Sequence, residues 1–210
     1  ETSVPPYGSG IVLVPWPNRV EDGEWMLEGE TQHLDITEPK KHNAIHGLLR
    51  YTAYRVAARN ESSIMLTATV FPQHGYPFQL DTSVTYELGP DGLTVTHTVT
   101  NVGVRTAPVA IGAHPYLCLG DEPLEQLTLT LGAATHIAVD DRLNPTGETD
   151  VAGTAFDLRG GVLVNDVTLD DGFGGVPPGA SHRLSHDDGR FVELWRDDAF
   201  SYVQVFTNTI

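Results

Sequence analysis

Six side chains of this sequence have the type and setting to do chemistry on a small molecule: Arg19, His46, His74, His114 and the adjacent pair Asp170 and Asp171. Each stands beside glycine, proline or an aromatic residue where a strand ends, and site residues concentrate at such ends. His114 is the most informative of them. Strict alternation puts Val109, Ile111 and Ala113 on one face of its strand and Ala110, Gly112 and His114 on the other. A face with so little bulk leaves room for a ligand, and Pro115 holds His114 out of the α region. A histidine simply hydrogen-bonded at a strand end fits the same pattern. His46 precedes Gly47, which permits close backbone approach, although a loop histidine in water reads the same way. Arg19 ends the run Val14-Pro15-Trp16-Pro17-Asn18-Arg19, where it could hold a sugar or a carboxylate, or pair with Asp22 at the surface. Asp170-Asp171-Gly172 reads locally as a turn.

Several kinds of chemistry are disfavoured. Nine histidines are present, yet no His-x-His, His-Glu-x-x-His or Cys-x-x-Cys spacing occurs, so no metal is expected. No Gly-x-Ser-x-Gly marks a serine hydrolase, and Gly172-Phe173-Gly174-Gly175 lacks the helix that a phosphate loop needs. The net charge is −16, and Lys40 and Lys41 are the only lysines. Phosphate neutralisation needs clustered basic side chains, so nucleic acid is not an expected partner, nor is an anionic membrane surface. The longest apolar runs resemble Ile11 to Val14, far short of the ~18 residues of a spanning helix. Cys118 stands alone, which excludes an intrachain disulfide and suits a reducing, cytoplasmic location, as it also suits a small minority of exported proteins. Glu1 is no natural start, which leaves room for a removed signal or for upstream strands.

The elements that must position these residues are strands. Glycine and proline fill 21 and 14 of the 210 positions, about one in six, so elements are short. Between these breaks the apolar residues recur with period two: Ile64, Leu66, Ala68 and Val70; Val84, Tyr86 and Leu88; Leu93 and Val95, with Thr94, Thr96, Thr98 and Thr100 opposite. Leu127, Leu129 and Leu131, then Val192 and Leu194, then Tyr202, Val203 and Val205 follow suit. Hairpin turns are expected at Gly89-Pro90-Asp91-Gly92 and at Asp187-Asp188-Gly189, and a longer loop at about 140–153. No helical window and no repeat is visible. The class is all-β, a mostly antiparallel sandwich or barrel, in one domain over residues 1–210.

Five segments in order resemble the aldose 1-epimerase (galactose mutarotase) family. They are Pro15-Trp16-Pro17-Asn18-Arg19-Val20; Asn43-Ala44-Ile45-His46-Gly47-Leu48; His74-Gly75-Tyr76-Pro77-Phe78; Thr98-Val99-Thr100-Asn101; and Gly112-Ala113-His114-Pro115-Tyr116. Further on, Leu169-Asp170-Asp171-Gly172-Phe173 is similar to the family's Asp-His-x-Phe segment, and Val203-Gln204-Val205-Phe206-Thr207 to its Val-Gln-x-Tyr-Thr strand. The resemblance implies a galactose mutarotase-like β-sandwich, or supersandwich, that interconverts the α and β anomers of a free aldose such as glucose or galactose. No cofactor is implied, because acid and base are both side chains.

Carried over by position, the resemblance makes His114 the general acid that protonates the ring oxygen as a pyranose opens, with His46 hydrogen-bonding the same region. Asn18, Arg19, Asp170 and Gln204 would hold sugar hydroxyls, and Tyr116 would line the pocket. Trp16, Trp25 and Phe173 could offer apolar faces to the sugar. An imidazole with its ordinary pKa near 6.5 can give a proton and take it back near neutrality. The family's general base is a glutamate in a Glu-Pro segment after the Gln strand, and this chain ends at Ile210 without it. The expectation is therefore a stretch of a longer protein, short of the family's first strands and of its C-terminal segment, acting as a monomer or weak homodimer. The rival readings are a hexose-6-phosphate epimerase, against which the sparse basic residues argue, and a non-catalytic carbohydrate-binding module on the same fold.

Overall fold

The computed structural model describes residues 6–207. These form two compact units, the first running to Pro115 and the second starting at Tyr116. Every strand ladder among the described residues is antiparallel. The only helical elements among them are three-residue 3-10 turns, and no helix is long and apolar enough to cross a membrane.

The first unit begins with β1 (Val12–Leu13), β2 (Arg19–Glu21), β3 (Glu24–Leu27), β4 (Glu30–His33) and β5 (Asn43–Ile45). It continues with β6 (Arg55–Arg59), β7 (Ser63–Val70), β8 (Leu80–Gly89), β9 (Gly92–Asn101) and β10 (Gly112–Ala113). Strands β6 to β9 form a four-stranded meander in which β7 and β8 turn apolar residues to the core, while β6 is exposed throughout and Leu88, Leu93 and Val95 at the β8–β9 end stand in solvent. The expected hairpin at Gly89 to Gly92 joins β8 to β9, with Gly89 opposite Gly92. Val70, Leu80 and Val84 from the meander meet Val14, Leu34, Leu49, Tyr76 and Phe78 in the core. Three two-stranded pairs complete the unit, β1 with β10, β2 with β5 and β3 with β4; β2 carries Arg19, and His46 and His114 directly follow β5 and β10.

The second unit is two four-stranded sheets. Its strands are β11 (Thr128–Leu131), β12 (Thr135–Val139), β13 (Pro145–Asp150), β14 (Val162–Leu163), β15 (Asp170–Gly174), β16 (His182–Ser185), β17 (Phe191–Leu194) and β18 (Val203–Phe206). One sheet has the order β14-β11-β16-β17 and the other β13-β12-β15-β18. Leu131, Ala133, Val151, Leu158, Leu169 and Phe173 form the core of this unit.

Three local expectations need correction. The expected loop over 140–153 contains β13, which pairs with β12 and whose six residues are all exposed. An edge strand with no buried face has no apolar alternation to announce it. Asp170-Asp171-Gly172 is not a turn but the start of β15, because cross-strand pairing on both sides overrides the local Asp-Gly preference. The long strand expected before His114 shrinks to the two residues of β10. A Cβ on Gly112 would lie 2.8 Å from Pro17 Cβ and 3.0 Å from Leu13 Cδ1. Gly112 thus admits the side chains of Pro17 and Leu13 rather than opening space for a ligand, whereas Ala110 lines a cavity.

Candidate active site

In the first unit, antiparallel pairing of β2 with β5 sets Arg19 opposite Ile45, so Asn18 and His46 flank the same ladder end. The His46 amide donates to the Asn18 carbonyl at 2.9 Å. Both residues have positive φ, 56° at Asn18 and 63° at His46, which turns each side chain sharply out of its strand. Gly47 follows at φ 70°, and the Leu48 amide donates to the Val14 carbonyl at 2.7 Å. A Cβ on Gly47 would stand 2.2 Å from that carbonyl oxygen. Glycine is thus required where the chain bearing His46 crosses the Val14-Pro15 segment.

Arg19 does not pair with Asp22, which bonds His42 instead. Its Nε and one terminal nitrogen donate to the two carboxylate oxygens of Glu38, at 2.8 and 2.9 Å. The other terminal nitrogen donates to Asn18 Oδ1 at 3.3 Å. The Arg19 and Glu38 side chains are only 13 % and 23 % exposed, so this fork is held out of bulk water. Burial acts upward on the Glu38 carboxyl, but Arg19 and a hydrogen bond from Asn43 outweigh it and hold it below its ordinary value. The sequence offered no local spacing that would single out Glu38. Its backbone amide donates to the carbonyl of Asn43, at the start of β5, and that loop closure brings it to Arg19.

His114 lies just beyond β10, its carbonyl accepting from the Gly10 amide at 2.8 Å. Its ring meets the His46 ring edge to face, with centroids 5.8 Å apart and planes at 86°. Both side chains are half-buried, so His114 is not sealed in the core. His46 Nδ1 is buried with no hydrogen-bond partner. Burial, reinforced by the like charge of His114 and then of Arg50 and Arg19, pushes the His46 pKa down to about 4. At neutral pH His46 is therefore a neutral imidazole, able to offer one donor and one acceptor but not to serve as the acid.

That depression has a consequence for stability. Between pH 6.5 and about 4 the unfolded chain protonates position 46 while the native state does not, so the native state loses stability as pH falls through this window. The contribution is on the order of 3 kcal/mol. Urea denaturation from pH 7 to pH 4.5 should show a steeper loss for the wild type than for His46→Gln. Parallel curves would mean that His46 titrates normally.

Two cavities border this cluster without reaching either histidine. One of about 210 Å³ is lined by Trp16, Gly47, Arg50, Tyr51 and His74 among others, and one of about 270 Å³ by Trp16, Trp25, Tyr76 and Val109 among others. Trp16 is common to both, and its indole N–H is buried without a partner. Trp25 belongs to the core, stacked at a tilt on Tyr76 and Phe78 and donating to the Gly75 carbonyl at 2.8 Å. His74 is exposed, 3.5 Å from Asp35.

The second unit gathers Tyr116, Asp170 and Gln204. In the β15–β18 ladder Asp170 is opposite Phe206 and Gly172 is opposite Gln204. Gln204 Nε2 donates to Asp170 Oδ1 at 2.9 Å across the exposed face. Tyr116 meets Phe206 edge to face at 6.4 Å. Phe173 is fully buried, so it cannot offer a face to a sugar, contrary to expectation. Asp171 points to the other face and bonds His136 at 2.7 Å, a partner that the sequence reading did not single out. Its signal was the acidic residue standing where the family segment has histidine. Among the described residues no group of three or more His, Cys, Asp or Glu side chains could hold a metal ion.

Residues 4–208 match the aldose 1-epimerase family. The chain belongs to that family. It is 32% identical over 157 residues to human galactose mutarotase, an alignment covering 71% of this chain and 45% of that protein. It is 38% identical over 138 residues to the uncharacterized protein YihR of Escherichia coli K12, covering 65% of this chain and 45% of the relative. The chain therefore spans about half the length of the curated relatives it matches. Among solved structures, a GalM/aldose epimerase homologue from C. elegans superposes with a TM-score of 0.76 at 20% identity, covering 87% of this chain and 60% of that one. Galactose 1-epimerase from Lactobacillus acidophilus gives 0.72 at 24% identity, covering 87% and 59%. The fold of this aldose 1-epimerase family member is accordingly the all-β, antiparallel galactose mutarotase-like fold.

Proposed function

We propose that the protein interconverts the α and β anomers of a free aldohexose of the glucose or galactose kind. The observation that carries the reading is the pair of half-buried imidazoles, His46 and His114, set edge to face beside the Arg19–Glu38 fork. Ring opening needs one acid and one base acting together. His114 gives its proton to the ring oxygen, the C1–O5 bond breaks, and the anomeric hydroxyl loses its proton to form the aldehyde carbonyl. Rotation about C1–C2 and reclosure on the other face, with both protons returned, yield the second anomer.

His46, neutral at the working pH, hydrogen-bonds the same region without competing for the acid role. Asn18 and Arg19 hold hydroxyls, and Asp170, Gln204 and Tyr116 are assigned to the sugar as well. Glu38 is a poor base, since both its oxygens accept from Arg19 and its carboxyl is held low. By the family resemblance, the proton of the anomeric hydroxyl goes to a glutamate that follows the Gln strand, and residues 1–210 do not include it. No redox or group-transfer step is involved, so the reaction calls for no cofactor.

Polarimetry of freshly dissolved α-D-glucose and α-D-galactose tests the reading. The protein should accelerate the approach to anomeric equilibrium in proportion to its concentration. A trace that overlays the uncatalysed drift for both sugars would remove the enzymatic claim and leave sugar binding alone.

A further inference from the structure

The geometry points to His136 and Asp171 as a positioning pair that sets the Asp170 carboxylate for a sugar hydroxyl. The inference rests on the assignment of Asp170 to the sugar. Period-two alternation places Asp170 and Gly172 on one face of β15 and Asp171 and Phe173 on the other. His136, on β12, is opposite Phe173, so its ring reaches the face occupied by Asp171. Its Nε2 lies 2.7 Å from Asp171 Oδ1. The other oxygen, Asp171 Oδ2, accepts from the Asp170 backbone amide at 3.1 Å. Asp170 Oδ1 in turn accepts from Gln204 Nε2 at 2.9 Å. Two hydrogen bonds thus connect a buried imidazole to the Asp170 backbone amide, and on the exposed face Gln204 holds the carboxylate of the same residue.

The imidazole end of this run is clamped. Phe156 stacks flat on the His136 ring, with centroids 3.6 Å apart and planes within 9°, and Phe173 abuts it edge on at 5.6 Å. The His136 and Asp171 side chains are 11 % and 22 % exposed. A carboxylate on a mostly buried face loses hydration, and an apolar pair of the same shape would serve packing at least as well. Stability alone therefore gives little reason for the pair. Its effect on Asp170 gives one: with Oδ1 held by His136, Asp171 Oδ2 fixes the Asp170 amide and so the backbone from which that side chain projects toward Gln204. At position 171 the family segment has histidine, and here the imidazole comes from the neighbouring strand while position 171 supplies the acid.

The test combines kinetics with NMR on the whole protein carrying His136→Leu, His136→Gln or Asp171→Asn. With α-D-galactose as probe, His136→Leu and Asp171→Asn should raise KM about tenfold with kcat changed less than about twofold, as expected for lost binding rather than lost chemistry. His136→Gln, which keeps a donor at the ring's far end, should recover most of the loss. The Asp170 backbone amide and Gln204 side-chain amide resonances should shift in His136→Leu and Asp171→Asn. Unmoved resonances in folded Asp171→Asn would overturn the proposal. So would a lower unfolding midpoint with KM unchanged, which is the mark of a purely structural pair. If the wild type has no activity, the resonances still decide whether the pair orients Asp170, and only the mutarotase reading falls.

Discussion

Replacing His114 with asparagine is expected to lower kcat/KM for anomer interconversion by about 10²–10⁴-fold, the usual contribution of a positioned general acid. Asparagine fills a similar space and can still hydrogen-bond the ring oxygen, but it cannot deliver a proton. The half-buried setting of His114, and its backbone bond to Gly10, give the variant no buried charge or cavity that would unfold it. The loss should therefore fall on kcat more than on KM. Polarimetry at several sugar concentrations separates the two, and a decline of less than tenfold would remove His114 from the acid role. The same variant also bears on His46. After burial, the like charge of His114 does most to depress the His46 pKa, so His46 should titrate at a higher pH in His114→Asn.

The second large effect is expected at Gly47. Alanine there must adopt φ near 70° and place its Cβ 2.2 Å from the Val14 carbonyl oxygen and 2.9 Å from Pro15 N. The left-handed conformation costs about 1 kcal/mol, and forcing apart two packed backbone segments adds about 1–3 kcal/mol. Gly47→Ala should therefore destabilise the protein by about 2–4 kcal/mol in urea denaturation. Gly153→Ala is the control, since its φ is also positive but no atom lies within 4 Å of the added carbon. Equal losses at the two positions would mean that close approach to Val14 contributes nothing.

The sequence disclosed different parts of this protein unequally. The meander was legible because β7 and β8 turn part of one face to the core, so Ile64 to Val70 and Val84 to Tyr86 alternate visibly, whereas the same alternation in Leu88, Leu93 and Val95 continues into solvent. Strand β13 was not, since with no side chain buried it carries no pattern for the eye to find. In the site, His46 and His114 stood out because glycine and proline flank them. Glu38 did not, because its partner Arg19 is reached only through the folding of the loop before β5. The same limit hid His136: its bond to Asp171 spans 35 positions and depends on the register of β12 against β15. Gly112 was noticed for the right reason and given the wrong use, since small size in a sequence cannot say whether a ligand or neighbouring side chains, here Pro17 and Leu13, fill the gap.

Asn18 and His46, joined by a backbone hydrogen bond, both hold left-handed φ without being glycine. Each such residue forgoes on the order of 1 kcal/mol that glycine would recover. Directed evolution of this chain for heat resistance alone would thus drift toward glycine at 18 and 46. The hardier descendants would keep the scaffold and shed the two side chains proposed to meet the sugar.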